Sequence, residues 1–342
     1  MTTTPNPTAG DPPLHARFAA LVAQGDDQLP LPGAGQTLAR WRALAAVARE
    51  DLALAKWFEG HTDALAILQE LDGPVPPRGA RLGMWAAEAP GGRVSFVRQA
   101  DGAVELRGTK QWCSGAEHVT HGLLTAWEDG RGDHPWLVLV DMRLPTVQTE
   151  PGHWHAAGMG RSRSVDVRFE GTPARIWPRA GEYLTRPGFW QGGAGVAACW
   201  YGGCVGVAAA LQQAASRAEP QGADGRTRLA ALGRADALLQ PLAALLRATA
   251  QWIDRHPADD ARVPALRLRM AADSAARQLL DLAGPALGAG PLCRDARLAN
   301  LVADLPVFVR QTHGDRDFAA LGDDVRRDAA PSSPGLPEPW TL

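Results

Sequence analysis

The spacing of apolar residues changes period twice along this chain, and that change limits the folds open to it. Between residues 14 and 72, Leu38, Trp41, Leu44, Ala45 and Ala48 recur at threes and fours, which predicts helix. Asp51 can cap a second helical segment, Leu52 to Phe58, and a third runs from Asp63 to Leu71 with Leu65 and Leu68 on one face. The turn cluster at 72–77 (Asp-Gly-Pro-Val-Pro-Pro) closes the region. From about 80 to 180 the period becomes two: Val94 and Phe96, Val104 and Leu106, and Val165, Val167 and Phe169 alternate with polar neighbours. The unbroken run Leu137–Val140 reads as a strand buried on both faces. Helical spacing returns near 190, with candidates at 192–218, 226–254, 262–284 and 296–320. Helices, then strands, then helices, without alternation, argue against a doubly wound sheet. The expected class is α+β: a short helical domain at 14–77, a middle β-domain at 78–185 and a helical bundle at 186–325. Loose tails are expected at 1–13 and 326–342.

At 342 residues the chain is long enough for two or three packed units. A net charge of −2 argues against a nucleic-acid surface as its main business. The four cysteines, Cys113, Cys199, Cys204 and Cys293, form no C-x-x-C pair and show no zinc spacing. They read as reduced thiols of a cytoplasmic protein. The N-terminus lacks the basic and apolar regions of a signal peptide. The apolar stretch 194–211 reads as a buried helix rather than a membrane span, because it is rich in Gly and Ala with Trp200 and Tyr201 in its middle.

Residues 105–127 carry the strongest functional signal. They read as strand, tight turn at Gly108, strand. In the run Lys110-Gln111-Trp112-Cys113-Ser114-Gly115, Trp112 and Ser114 are two apart and on a strand share a face. A large flat ring beside a hydroxyl suits a flat ligand with polar edges, such as a flavin. The competing reading is a Trp packed in a β core.

This run resembles the G-x-K-x-W-(I/T/C)-(S/T)-(N/G) segment of the acyl-CoA dehydrogenase superfamily. Other landmarks follow in order. The stretch 82–92 resembles the family's T-E-P-x-x-G-S-D loop at the flavin edge, and 158–170 its G-x-x-x-S-x-x-x-x-V-x-F-(D/E) segment. Gly202-Gly203-Cys204-Val205-Gly206 is similar to the start of the long C-terminal helix. Gln278–Gly284 followed by Arg294-Asp295-Ala296-Arg297 resembles Q-x-x-G-x-x-G…R-D-x-(K/R). The resemblance covers most of 38–320. It implies the family's fold, with a middle β-barrel or sandwich, FAD as cofactor and an acyl-CoA or other small-molecule substrate. The implied reaction acts on a CH–CH group: α-proton abstraction by a carboxylate and hydride transfer to flavin N5. By matched position Met84, Ala87, Trp112 and Ser114 would line the flavin. Gln278 and Gly284 would meet the dinucleotide of a neighbouring subunit, so a homodimer or homotetramer is implied.

Three departures bear on activity: the base positions, the pyrophosphate Arg, and a shortened flavin-edge loop in which Ala87 stands for the family's Thr. Counted without gaps from Arg294-Asp295, the usual catalytic Glu falls on Ala303, leaving the adjacent Asp304 as the candidate base. The minority base position, six residues before Gly202, falls on Val196. The pyrophosphate-binding Arg of the family's Arg-x-x-Phe-Gly motif falls on Gly222, with Arg226 or Arg228 as substitutes from the loop. Two alternatives to an acyl-CoA dehydrogenase-like enzyme follow. One is a flavin-dependent monooxygenase or nitroalkane-oxidase-like branch, which needs no α-proton base and in which His313 would matter. The other is a degenerate paralogue acting as a structural or partner subunit.

The remaining candidates read as structural. His118, His121, His153 and His155 read as loop or surface histidines without a carboxylate partner for a metal. Gly60-His61 reads as a kink or cap, and His313 as part of a solvated helix face. Gln191-Gly192-Gly193-Ala194-Gly195 lacks the preceding strand of a phosphate loop and reads as a loop entering a helix, shaped around substrate.

Overall fold

The computed structural model describes residues 12–88, 92–100, 103–129, 134–151, 154–177, 179–219 and 221–328. Both expected tails fall largely outside these residues, as do Ala89, Pro90 and Gly91 of the flavin-edge loop, and His153. Three helices come first: α1 (Leu14–Gln24), α2 (Thr37–Glu50) and α3 (Leu52–Glu70). Seven strands follow: β1 (Leu82–Trp85), β2 (Val94–Arg98), β3 (Val104–Ser114), β4 (His121–Glu128), β5 (Trp136–Asp141), β6 (Val147–Glu150) and β7 (Ser164–Ile176). Then come α4 (Glu182–Thr185), α5 (Gly188–Ser216), α6 (Ala223–Arg255), α7 (Arg262–Leu287), α8 (Ala289–Arg294), α9 (Ala296–Phe308) and α10 (Asp315–Asp328). The α–β–α order is the one the hydrophobic period predicts.

The strands follow the path β1-β4-β2-β3-β7-β5, and β4 also pairs with β5. That last pairing closes β4-β2-β3-β7-β5 into a barrel, which removes the free edges an open sheet would expose. Val94, Phe96, Val104, Leu106, Val138, Val167 and Phe169 fill its interior. A second core joins α2, α3, α5, α6, α7 and α9.

α5 is the axis of that helical core. α5 and α6 are long and apolar enough by length and composition to cross a membrane, but 72% of the α5 window is buried inside the fold. Its small residues allow backbones to touch. A Cβ built on Gly202 would stand 2.3 Å from the Ala45 carbonyl oxygen of α2, and one on Gly206 would stand 2.6 Å from that of Arg49. The run Gly192-Gly193-Ala194-Gly195 is not a loop. It lies inside α5, because the packing of α2 and α3 supplies the stability that three glycines withhold.

Two local expectations differ from the structure. Gly60-His61 neither kinks nor caps a helix: α3 runs unbroken through them. His61 is fully buried, accepts the Leu82 N–H at its Nδ1 (3.1 Å) and meets Asp27 through Nε2 (3.1 Å). It ties α1, α3 and β1 together, and burial lowers its pKa, which keeps the accepting nitrogen free. Gly108 is not a turn either. β3 passes straight through it, paired to Val94 and Phe169, and the chain turns only at 115–118. Gly108 has φ +107°, and a Cβ there would meet the Arg93 carbonyl oxygen at 2.4 Å.

Helical glycines on opposite sides of the bundle test this packing. Gly202→Ala is expected to destabilise by about 2 kcal/mol, since the methyl meets fixed backbone. Gly233→Ala in α6, where a Cβ meets nothing within 4 Å, is expected to stabilise by roughly 0.5–1 kcal/mol through helix propensity. Urea denaturation midpoints of the two variants should move in opposite directions.

Candidate active site

The ledge around Trp112 is built by an irregularity in β3. Lys110 pairs with Val167 and Cys113 with Val165, so three steps on β3 span two on β7. The extra residue makes a bulge, and Trp112 takes φ +59° there. The strict alternation expected of a strand is broken. Lys110 and Cys113 both point inward, while Trp112 is 52% exposed. A strained backbone holding a large ring outward marks a built surface.

Ser114 stands beside it. Its hydroxyl hydrogen-bonds Ser164 Oγ at 2.8 Å, and Ser164 Oγ meets Ser162 Oγ at 3.0 Å. Trp85 Nε1 donates to the Ser114 carbonyl at 3.2 Å and steadies the strand end. Met84 is half-buried on β1, and Ala87 is exposed just beyond it. Ala87, Trp112 and Ser114 therefore all retain accessible surface on the barrel side. An exposed indole beside a hydroxyl chain fits a flavin: the ring offers a stacking face and the serines offer both donors and acceptors.

The loop that carries Ala87 is held by a group the sequence reading passed over. Lys110 is fully buried and donates to Glu88 Oε1 (2.7 Å) and Thr125 Oγ1 (2.8 Å). Thr125 Oγ1 also donates to Glu88 Oε1 at 2.6 Å. Burial lowers the Lys110 pKa and the Glu88 carboxylate opposes that shift. One of only two lysines, inside a strand, was the available signal.

The helical side of the site is the seam between α3 and α5. α3 turns Trp57, Gly60 and His61 to the barrel: Trp57 Nε1 donates to the Ser162 carbonyl at 2.7 Å, and a Cβ on Gly60 would lie 3.7 Å from Met84 N. Lys56, Glu59 and Asp63 fall on its other side. Lys56 Nζ donates to Glu59 Oε2 at 2.8 Å and lies 5.8 Å from the Phe308 ring centre. Across the seam, Arg269 of α7 lies 4.9 Å over the Trp200 ring and donates to the Gly193 carbonyl at 2.8 Å. Val196 is buried in the helical core, and no ionisable group stands at that position.

Asp304 lies elsewhere. It is buried on α9 and its Oδ1 accepts the Met159 N–H at 2.5 Å. Burial raises its pKa to about 6. The neighbouring Ala303 carbonyl oxygen would be 2.0 Å from a Cβ on Gly158. The segment aligned with the usual base is thus spent on joining α9 to the loop before β7, and Asp304 has the geometry of a tie between domains. Gln278 and Gly284 lie on α7. Gln278 is exposed and bonds Ser274 of its own helix, so it joins none of the ledge residues within this chain. Gly222 precedes α6; Arg226 donates to the Gln221 carbonyl and Arg228 to the Ala214 carbonyl at 3.4 Å, both at the α5–α6 turn. His313 is not on a helix. It sits in the break before α10, 60% exposed, with Asp317 at 3.4 Å. His118 stacks on His15 at 5.1 Å, and among the described residues no three His, Cys, Asp or Glu gather as a metal site.

No family model matches the chain, and no curated protein matches it. Solved structures do. KijD3, in complex with FMN and dTDP-3-amino-2,3,6-trideoxy-4-keto-3-methyl-D-glucose, superposes with a TM-score of 0.76 at 18% identity, covering 90% of this chain and 86% of that one. TdsC from a Paenibacillus species, in complex with FMN and indole, gives 0.73 at 16% identity over 95% and 96%. Butyryl-CoA dehydrogenase from Megasphaera elsdenii gives 0.75 at 13% identity over 92% and 89%. At these identities the likeness is one of fold, and the fold is that of the acyl-CoA dehydrogenases.

The state of Asp304 has a measurable consequence. Its folded pKa of about 6 lies above the ordinary 3.8, so the stability it confers is full below 3.8 and is lost as pH rises through about 6. Asp304→Asn keeps the acceptor for Met159 without the charge. It is expected to exceed the parent's stability at pH 7.5 by on the order of 2 kcal/mol and to converge with it near pH 4. Urea denaturation at both pH values reads the difference.

Proposed function

From that fold, and from the way its usual base positions are filled, we propose that this chain is a flavin-dependent monooxygenase that works with reduced FMN. The observation that carries the proposal is the contrast between the two halves of the site. The Trp112–Ser114 ledge is elaborately built, while counting along the sequence puts Val196 and Ala303 at the positions of the family's α-proton bases. An oxygenase needs no such base. Gly222 at the pyrophosphate Arg position favours a flavin without the adenylate half. The FMN bound by KijD3 and by TdsC supports the same choice.

On this reading Trp112 stacks on the flavin ring, Ser114 addresses its polar edge, and the Lys110–Glu88 pair fixes the loop beside it. Reduced flavin, when bound, would supply the electrons for activating dioxygen. Chain residues do the rest. A small substrate would have to be held beside the ledge at the α3–α5 seam, where Val196, Trp200 and Phe308 are closed from water in the helical core. The outward position of Gln278 and Gly284 makes any contact of theirs with flavin a contact from a second copy of the chain, which supports a homo-oligomer.

Acyl thioester dehydrogenation with FAD is the second reading, favoured by the likeness to butyryl-CoA dehydrogenase. The two separate cleanly. Titration of the purified chain is expected to show FMN binding, and Trp112→Ala is expected to weaken it about tenfold. With FMN reduced anaerobically, admission of oxygen should reoxidise the flavin. Butyryl-CoA added to oxidised flavoprotein should leave its visible absorbance unchanged; bleaching would install the dehydrogenase reading instead. A chain that takes up neither FMN nor FAD would remove both.

A further inference from the structure

The hydroxyls of Ser114, Ser164 and Ser162 run from the ledge into the interior, and their protons have a single consistent arrangement. Ser162 is 1% exposed and Ser164 8%. Ser162 Oγ lies 2.7 Å from the Met159 carbonyl oxygen, which also accepts the Ser162 N–H at 2.9 Å. A carbonyl oxygen cannot donate, so Ser162 spends its one hydroxyl proton on Met159. The 3.0 Å contact between Ser162 Oγ and Ser164 Oγ then takes its proton from Ser164. Ser164 has none left, so the 2.8 Å contact with Ser114 takes its proton from Ser114. A serine hydroxyl alone can donate or accept. Here the relay removes the choice: Ser114 turns its hydrogen inward and keeps only lone pairs for the ledge.

The inner end of the relay is pinned. Met159 has φ +57°, and its N–H is held by Asp304 Oδ1 at 2.5 Å. The Ser162 carbonyl accepts Trp57 Nε1 at 2.7 Å and the Gly115 N–H at 3.0 Å. Reversing the relay would press two oxygens together at 2.7 Å with no hydrogen between them, in a place closed to water.

An oxygen that can only accept is matched by an N–H and repels a bare ring nitrogen or a carbonyl oxygen. Reduced FMN carries an N–H where the oxidised ring has a bare nitrogen. The stacking face of Trp112 is open to either ring. The hydroxyl beside it is not neutral between them.

We propose that Ser162 and Ser164 are positioning residues that make Ser114 an acceptor, and that the ledge thereby selects reduced over oxidised FMN. This rests on the flavin reading above and adds to it the residues that set the selection.

Equilibrium titration of the full chain tests it, with oxidised FMN and with FMN reduced under anaerobic conditions. The parent is expected to bind the reduced form about tenfold more tightly or better. Ser162→Ala frees the Ser164 proton for Ser114, and Ser164→Ala removes the inner acceptor of Ser114. Either change leaves the Ser114 hydroxyl in place and lets its hydrogen turn outward. Both should lower the preference about tenfold, a fall of about 30 mV in the midpoint potential of bound FMN. A merely structural role would weaken both redox states alike and keep their ratio at the parent value. If one variant fails to fold, the other decides. An unchanged ratio in the relay variants, or tighter binding of oxidised FMN by the parent, overturns the proposal and leaves the flavin reading standing. FMN bound in neither state overturns both.

Discussion

The close approach of α5 to its neighbours is the constraint on which the rest of this structure depends. At Gly202 and Gly206 the α2 backbone lies where side chains would otherwise be. Gly203 meets Leu52 at the start of α3, with a built Cβ 3.0 Å from its side chain. Intrinsic propensity does not favour a helix with this many glycines, and each one costs about 1 kcal/mol against alanine. Tertiary contact repays it: the same residues let three helices share one seam, and dispersion is densest where backbones approach. With α2 and α3 seated on α5, the outer face of α3 is free to carry the barrel.

The barrel is seated on the helices by apolar packing, with Ala64, Ile67 and Leu68 of α3 against Leu82, Leu123, Leu137 and Leu139 and with Leu54 and Trp57 in the barrel core, and polar contacts pin it. Trp57 Nε1 bonds the Ser162 carbonyl, and Gly115 packs under the Trp57 ring with a built Cβ 2.9 Å away. Asp51 caps α3 through the Ala53 and Leu54 N–H groups and also takes ion pairs from Arg17 and Arg161. Met159 and Gly158 lean on α9. These contacts converge on the loop before β7, whose residues Met159 and Arg163 have positive φ without being glycine. Such a loop is held by its surroundings. At Ala303 it is the backbone carbonyl that packs on Gly158, while the residue itself is exposed.

The order of elements was legible because it depends on period alone, and period survives any rearrangement of local detail. The barrel strands at 94–98 and 164–176 were legible for the same reason. The errors came where tertiary contact outvotes local chemistry. Gly60-His61 looks like a helix end, yet a buried imidazole with two partners keeps α3 continuous. Gly108 looks like a turn, yet it is the point where β3 can pass the Arg93 carbonyl. The 296–320 pattern looks like one helix, yet α9 ends at Phe308, beyond Pro306, and α10 starts at Asp315. The candidate site was only half legible. Trp112 and Ser114 lie two residues apart in one short run and announce themselves. Lys56, Glu59 and Asp63 do not, because a charged stripe on a helix reads as solvent-facing until its neighbours are known.

That asymmetry bears on how function and fold divide the chain. A bulge adds one residue to β3 without disturbing the pairs on either side, so Trp112 can be presented at little cost to the barrel. The α3 stripe is bound more tightly to the fold, since the same helix buries Leu52, Ala55 and Phe58 in the helical core and Trp57 and Leu54 in the barrel core. Substitutions at 56, 59 and 63 alter the seam's charge while those anchors stay in place. The ledge and the seam are therefore structurally separable, since each can change its side chains without moving the other's anchors.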